Sequence, residues 1–572
     1  MAETVVQSKE EKKARKREKQ AQRLDKAKAG WLNRYFHHID SGSTLGREIA
    51  AGIVVCILSV CGIFMNLQLV SALLVSGPSA SASVADIAAN GEIICRMYFF
   101  AMMTAFVGSL VMGLVARQPL AQIPSMGMTV VLISTLGIGS GLTWQNLLAL
   151  CFVSALVYLA IAVIPPVSRA VVDAIPAGVR RAAPAVTGLL LAFVCLQLTG
   201  IVQMGNTSIA VQGVNSAAIN LKKFSSTLNE NVAGFAAFDF AGLKALAYKG
   251  DSFHPWILCA MGGAVTAMVV YLLVRKTKHP VLYALLAGTV GFFLGYLSQI
   301  VFYVGKNGKV NFELDSLWGR LWMVGSEDAQ HLHLSYLLNN MDLGKVFKEG
   351  FDFTAFTEAG GNVAALFATA ILTFLFMNLN FLETAVAENG KKMQLAMVCN
   401  AGINVLAPVV GSAPVSVTPL NGAGKRDGGR SGIAAVAASI GFLISAFVWL
   451  IPFLFCTTTN YDITFNLYGH YGTVIQMMTE NTSFLVVDGV MVLVGLYLIA
   501  GSVKGGFAAE GELTVYLATV LCGFLLMNPA FGMAMGTAAH LLVSLFDRER
   551  KLTVGNVAAA VLSIGLVILT LA

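Results

Sequence analysis

The polar residues best placed to do chemistry sit in an unlikely setting. Asn378, Asn380 and Glu383 close the apolar run NVAALFATAILTFLFMNLNFLET, Asn362 to Thr384. About twenty apolar residues suffice for a helix to cross the hydrocarbon core, and a helix that only anchors stays apolar to its end. A carboxylate near the centre of such a helix costs roughly 2.5 to 3.5 kcal/mol on insertion scales, so an intramembrane acid marks a functional site by default. Two placements of Glu383 follow from spacing alone. It sits either at the cytoplasmic end, snorkelling into the headgroups beside Lys391 and Lys392, or in a polar site shared with other helices. Asn380 and Glu383 are three residues apart and share a helix face, which suits the second placement.

The elements that would position these residues are set by composition. Of 572 residues, 56% are hydrophobic and 12% charged. Soluble domains carry about a quarter charged residues, so this chain reads as a polytopic membrane protein with no separate soluble domain. The formal charge of +7 is no pointer to nucleic acid, because much of the Lys and Arg lies in the tail before Trp31. That tail (1–46) mixes both charge signs and has no apolar core, so it reads as a solvated cytoplasmic extension rather than a signal peptide. The nine cysteines lie in or beside apolar runs with neither metal-site nor disulfide spacing.

Spans are expected at about Ile49 to Val75, Ile93 to Val115, Leu147 to Pro165, Ala182 to Val202, Pro255 to Val274 and Val281 to Val304. Arg117, Arg169, Arg180, Arg181, Arg275 and Lys276 mark the turns expected on the cytoplasmic side, with the N-terminus on that side too. Residues 203–254 and 305–352 read as outside loops. The second contains Glu327, Asp328, His331 and His333, but all four share one loop and no supporting shell is visible, so no metal site is assigned. In the second half, spans are expected from Met393, after KRDGGR to Cys456, at Leu485 to Val503, and finally at Leu513 to Asn528, Ala530 to Phe546 and Val554 to Leu571. The first two of that final group are short and read as one interrupted element or two.

Two runs depart from this pattern. Pro119 and Pro124 precede a run broken by Ser125, Gly127, Thr129, Gly137 and Gly139, and Pro408, Gly411, Pro414 and Pro419 break the run at 409–420. Each is third in its half, and paired Gly/Pro-broken segments in corresponding places point to a transporter site built on an inverted repeat. The expected fold is therefore an all-α, seven-plus-seven inverted repeat of about fourteen spans, one repeat in 47–304 and the other in 353–572. The pocket is expected between the broken segments, with Thr129, Asn380, Glu383, Ser416, Thr418 and Asn421 near it.

Four blocks carry a family likeness: GSTLGREIAAG, QPLAQIPSMGM, AIPAGVRRA with LQLTGIV, and GGRSGIAA. Together they resemble the nucleobase/cation symporters of the xanthine/uracil permease family, within it the adenine/guanine/hypoxanthine permease branch. The resemblance implies core and gate domains, with substrate held between the third, eighth and tenth segments. It also implies departures at the binding positions. Thr129 stands where the branch has a substrate-contacting Asn. Asn380-Phe381-Leu382-Glu383-Thr384 stands for an Asp-x-x-Asp-Thr pattern, and Leu420 falls on an acidic position beside Asn421.

The expected function is secondary transport of a purine nucleobase or similar small planar polar solute, coupled to protons through Glu383, in the plasma membrane, with no cofactor. A homodimer is left open. The alternatives are an anion carrier resembling the sulfate permeases, which usually carry a cytoplasmic domain after their last span whereas this chain ends at Ala572, and a transport-inactive sensor or scaffold. An intramembrane enzyme finds no metal-ligand or Ser/Lys spacing within the spans.

Overall fold

The computed structural model describes residues 30–76, 84–132, 142–198, 256–277, 363–388, 390–448, 482–504, 510–525, 528–546 and 553–571, with a few isolated residues and short pairs between them. The expected outside loops, the cluster at Glu327 to His333 and the tail before residue 30 lie outside these, apart from two-residue ribbons at 248–249 with 252–253 and 303–304 with 310–311.

A short helix α1 (Trp31–Phe36) leads into α2 (Leu45–Ser76) and α3 (Val84–Leu114). Pro119 and Pro124 then deny the chain a helix, and it forms strand β1 (Gln122–Pro124) before Ser125 restarts it. The Ser125 hydroxyl accepts from the Met128 N–H at 3.4 Å and caps α4 (Met126–Val131). A capping box between Thr143 and Asn146 opens α5 (Trp144–Val163). Pro165 ends that span and, placed at the first helical position, starts the amphipathic α6 (Pro165–Ala174). Then come α7 (Ala177–Leu198), α8 (Trp256–Val274), α9 (Val363–Glu388) and α10 (Lys391–Val409).

The second broken segment repeats the first. Strand β2 (Val415–Val417) leads to α11 (Asn421–Asp427), which closes at Gly428 with φ +104°, a conformation that only glycine adopts without strain. After it come α12 (Gly432–Val448), α13 (Thr482–Val503), α14 (Glu510–Leu525), α15 (Pro529–Phe546) and α16 (Val554–Leu571). The run that sequence left as one element or two is two helices, separated at Asn528, whose side chain accepts from the Ala530 and Phe531 N–H groups.

Helix packing follows the inverted repeat. α12 packs on α3 as α5 packs on α10; α12 on α2 as α5 on α9; α13 on α2 as α7 on α9; and α8 on α13 as α14 on α7. Each of these contacts thus has a counterpart with the halves exchanged. The axis relating them passes near the α7–α13 crossing, where Gly188 and Gly495 are so close that a Cβ on either would collide with the other's carbonyl oxygen. Small residues serve the same purpose at α2–α12, through Gly52 and Ala434, and at α3–α12, through Gly113 and Gly432.

The chain is a multi-pass membrane protein. Among the described residues α5, α9 and α15 meet the length and hydropathy of a spanning helix. Large apolar side chains stand exposed along α8 (Val265, Val269, Leu272, Leu273) and α14 (Leu517, Leu521, Leu525), the surface that hydrocarbon rather than water would cover.

Candidate functional site

The two broken segments meet. β1 and β2 pair antiparallel, Gln122 opposite Val417, Ile123 opposite Ser416 and Pro124 opposite Val415. Beyond the strands, the Ser125 N–H donates to Pro414 O at 2.7 Å and the Thr418 N–H to Ala121 O at 3.1 Å. Each segment thereby satisfies in the other the backbone groups that breaking its helix set free, which membrane interiors require. Because the strands are antiparallel, α4 and α11 leave the crossing in opposite directions.

One face of this ribbon is its support. Val415 clusters with Ile403 and Ala407 of α10, and the Val415 N–H donates to Asn404 Oδ1 at 2.7 Å. Gln122 shares that face and exchanges two bonds with Ser109, its N–H donating to Oγ at 2.9 Å and its carbonyl accepting at 3.2 Å. Ser416 points to the opposite face with Ile123.

The residues expected at the site take several roles here. Thr129 is fully buried and its hydroxyl donates to Ser125 O at 2.9 Å, within its own helix. Thr418 is buried and its hydroxyl accepts from the Leu420 N–H at 3.3 Å. Asn421 is buried and uses both ends of its carboxamide on one residue, Nδ2 donating to Ala121 O and Oδ1 accepting from Ala121 N, each at 2.9 Å. It extends the strand pairing by a side chain and so clamps the crossing. Ser416 is half-buried and Asn380 exposed.

Glu383 stands on α9 beside α7, where its Oε1 is 3.0 Å from Arg180 Nε. With 37% of its side chain accessible it is neither deeply desolvated nor paired with the lysines beyond the helix end. Arg180 also donates to Val172 O, while its neighbour Arg181 pairs with Glu512 of α14 at 3.4 Å. The adjacent arginines thus tie α7 to two different helices. Arg180 and Arg181 stood out in the sequence only as markers of membrane side, since their partners lie some two to three hundred residues away.

The family-like blocks at 42–52 and 428–435 prove to be one structural unit. Glu48 is fully buried, its Oε1 accepting from the Arg430 N–H at 2.9 Å and its Oε2 from the Ser431 N–H at 3.2 Å, so it caps the start of α12. The Ser43 hydroxyl donates to Gly428 O at 2.6 Å.

Beside the crossing, on the α11 side, lies an open cleft. Leu58 of α2, Leu420 and Gly422 of the second broken segment, Tyr271 of α8 and Val494 and Tyr497 of α13 line it, with Arg426 and Asp427 at its edge. Its wall is largely apolar and aromatic, and Leu420, where the family resemblance implies an acid, is part of it. Such an apolar cleft beside a broken helix is a candidate ligand site. Leu58, Tyr271 and Tyr497 had no sequence signal, because apolar and aromatic residues in a membrane helix look the same whether they face lipid or a cavity.

No family model matches the chain. It is similar to the nucleobase transporter PlAzg2 of Paenibacillus larvae, 24% identical over 346 residues, 60% of this chain and 55% of the relative. It is also similar to the guanine/hypoxanthine permease PbuG of Bacillus subtilis, 23% identical over 354 residues, 62% of this chain and 65% of the relative. Both are distant homologues, and the match spans less than two thirds of the length of either. Among solved structures, the transmembrane domain of a cyanobacterium bicarbonate transporter, BicA, matches with 14% identity over 87% of this chain and 97% of that one, at a TM-score of 0.39. SLC26A9 matches with 12% identity over 91% of this chain and 68% of that one, at 0.43.

Proposed function

We propose that this chain is a secondary active transporter for a purine nucleobase or a similar small planar polar solute, driven by protons and resident in the plasma membrane with its N-terminus in the cytoplasm. The observation that carries the reading is the antiparallel crossing of two broken segments from opposite halves, with an apolar and aromatic cleft against the second. Distant homology to a nucleobase transporter and a guanine/hypoxanthine permease supports the substrate class.

Glu383 is the carboxylate through which the proton acts. Its partner Arg180 lies on another helix, so protonation removes an attraction between α7 and α9 and links proton uptake to their relative movement. Thr129, Asn380, Ser416, Thr418 and Asn421 set the shape and backbone exposure of the site, whether by touching the ligand or by holding the crossing.

The test is uptake of labelled hypoxanthine, guanine and adenine into proteoliposomes with and without an inward proton gradient. Saturable, gradient-driven accumulation of at least one supports the reading. Equal counts in protein-free liposomes for all three would refute it.

A further inference from the structure

The inverted repeat places two sites in equivalent surroundings, and only one is open. Gly127 and Gly422 are each the second residue of the short helix that follows a strand, α4 and α11. Gly422 faces α13 and α2, and Gly127 faces the counterparts of those helices, α7 and α9. Thr187 and Val494 each precede a glycine of the Gly188–Gly495 crossing, so they too correspond.

At Gly422 there is room. A Cβ built there would find only Tyr497, 3.9 Å away, and the cleft beside it is lined by Leu58, Val494, Arg426 and Asp427. At Gly127 there is none. A Cβ would lie 3.0 Å from Met377 Sδ, 3.2 Å from Met377 Cε and 3.2 Å from Thr187 Cγ2. The Thr187 hydroxyl, which donates to Ala183 O at 2.9 Å, also reaches Met377 Sδ at 3.4 Å. Met377 therefore occupies, from α9, the volume that stands empty in the other half.

We infer that Met377 is the plug of the second access route, filling at Gly127 the space that the cleft leaves open at Gly422. This rests on the transport reading above and names the residue that would have to move for the solute to cross. The physical fit is good. A methionine is unbranched and flexible, so it fills an irregular gap and leaves it by rotamer change alone, without moving a helix. The Gly127 position provides the bare backbone against which the thioether rests.

The experiment reads access, not only transport. Thr187→Cys and Ala423→Cys are made singly, reconstituted, and treated with a membrane-impermeant maleimide from each side, with the parent chain's own thiols as background. Ala423→Cys, in the cleft wall, is expected to react only from the Lys425–Arg426 side, and Thr187→Cys not to react from the opposite side. Adding Met377→Ala to Thr187→Cys should raise its reaction from that opposite side about tenfold or more, whereas Met377→Leu, similar in volume, should not. Reaction of Thr187→Cys from the opposite side with Met377 present, or no rise with Met377→Ala while Ala423→Cys still labels as before, would overturn the plug. Unchanged labelling contrasts in a protein that takes up no purine would instead leave the plug standing and remove the substrate assignment.

Discussion

Arg180 Nε and Glu383 Oε1 stand 3.0 Å apart and join α7, which packs on α13 and α14, to α9, which packs on α5 and α10. A partly exposed pair of this kind contributes about 1 kcal/mol or less to stability. Neutralising it therefore perturbs function before it perturbs the fold. Glu383→Gln should retain ligand exchange in a counterflow assay and lose accumulation driven by a proton gradient, whereas Glu383→Ala, which also lacks a hydrogen-bonding side chain, should lose both. Gradient-driven accumulation by Glu383→Gln at the wild-type level would place the coupling elsewhere.

Asn421 makes both of its hydrogen bonds to Ala121 in a buried setting, so its replacement is felt at the crossing. Asn421→Ala leaves the Ala121 N–H without that acceptor and should destabilise the protein by about 1 to 3 kcal/mol. Asn421→Asp should be worse, since it removes the donor and buries a charge against a carbonyl. Thermal unfolding in detergent would show the order wild type, Ala, Asp; an Asp variant as stable as the wild type contradicts the clamp.

Leu420 belongs to the cleft wall, where a carboxylate would be available to a purine N–H. Leu420→Glu should strengthen guanine or hypoxanthine binding on the order of tenfold to a hundredfold, the equivalent of satisfying one buried donor. Scintillation proximity binding on the purified protein measures this directly. Tight wild-type binding that the substitution leaves unchanged would mean that the ligand does not present a donor there.

Glu48 accepts two backbone N–H bonds while fully buried, and bonds to a charged acceptor contribute about 1.5 to 3 kcal/mol each. Glu48→Ala should lower the unfolding temperature markedly, with Glu48→Gln intermediate because its amide retains one acceptor. Equal unfolding temperatures for all three would show that water caps α12 in its place.

Much of this architecture was legible in the residues alone. Hydropathy and charge located most of the described helices, some to within a few residues, because a membrane admits few alternatives to an apolar run of fixed length, although α3 starts at Val84 and not Ile93. Pro119, Pro124 and Pro414 announced both broken segments, since proline removes a donor and clashes with the preceding turn, whereas Pro408 is accommodated in the last turn of α10. Glu383 stood out too, as a carboxylate in an apolar run is rare for a physical reason. What the sequence could not say was where each polar group would spend its hydrogen bonds. Asn421 read as a ligand contact and turns out to hold Ala121, and Glu383 meets Arg180 rather than Lys391 or Lys392. The partners of Glu48, Asn421 and Glu383 lie some two to nearly four hundred residues away, and no periodicity records such distances. The asymmetry between Gly127 and Gly422 is likewise tertiary. The two glycines occupy the same place in the repeat, and only the packing of α9 and α7 fills one site with Met377 while α2 and α13 leave the other open.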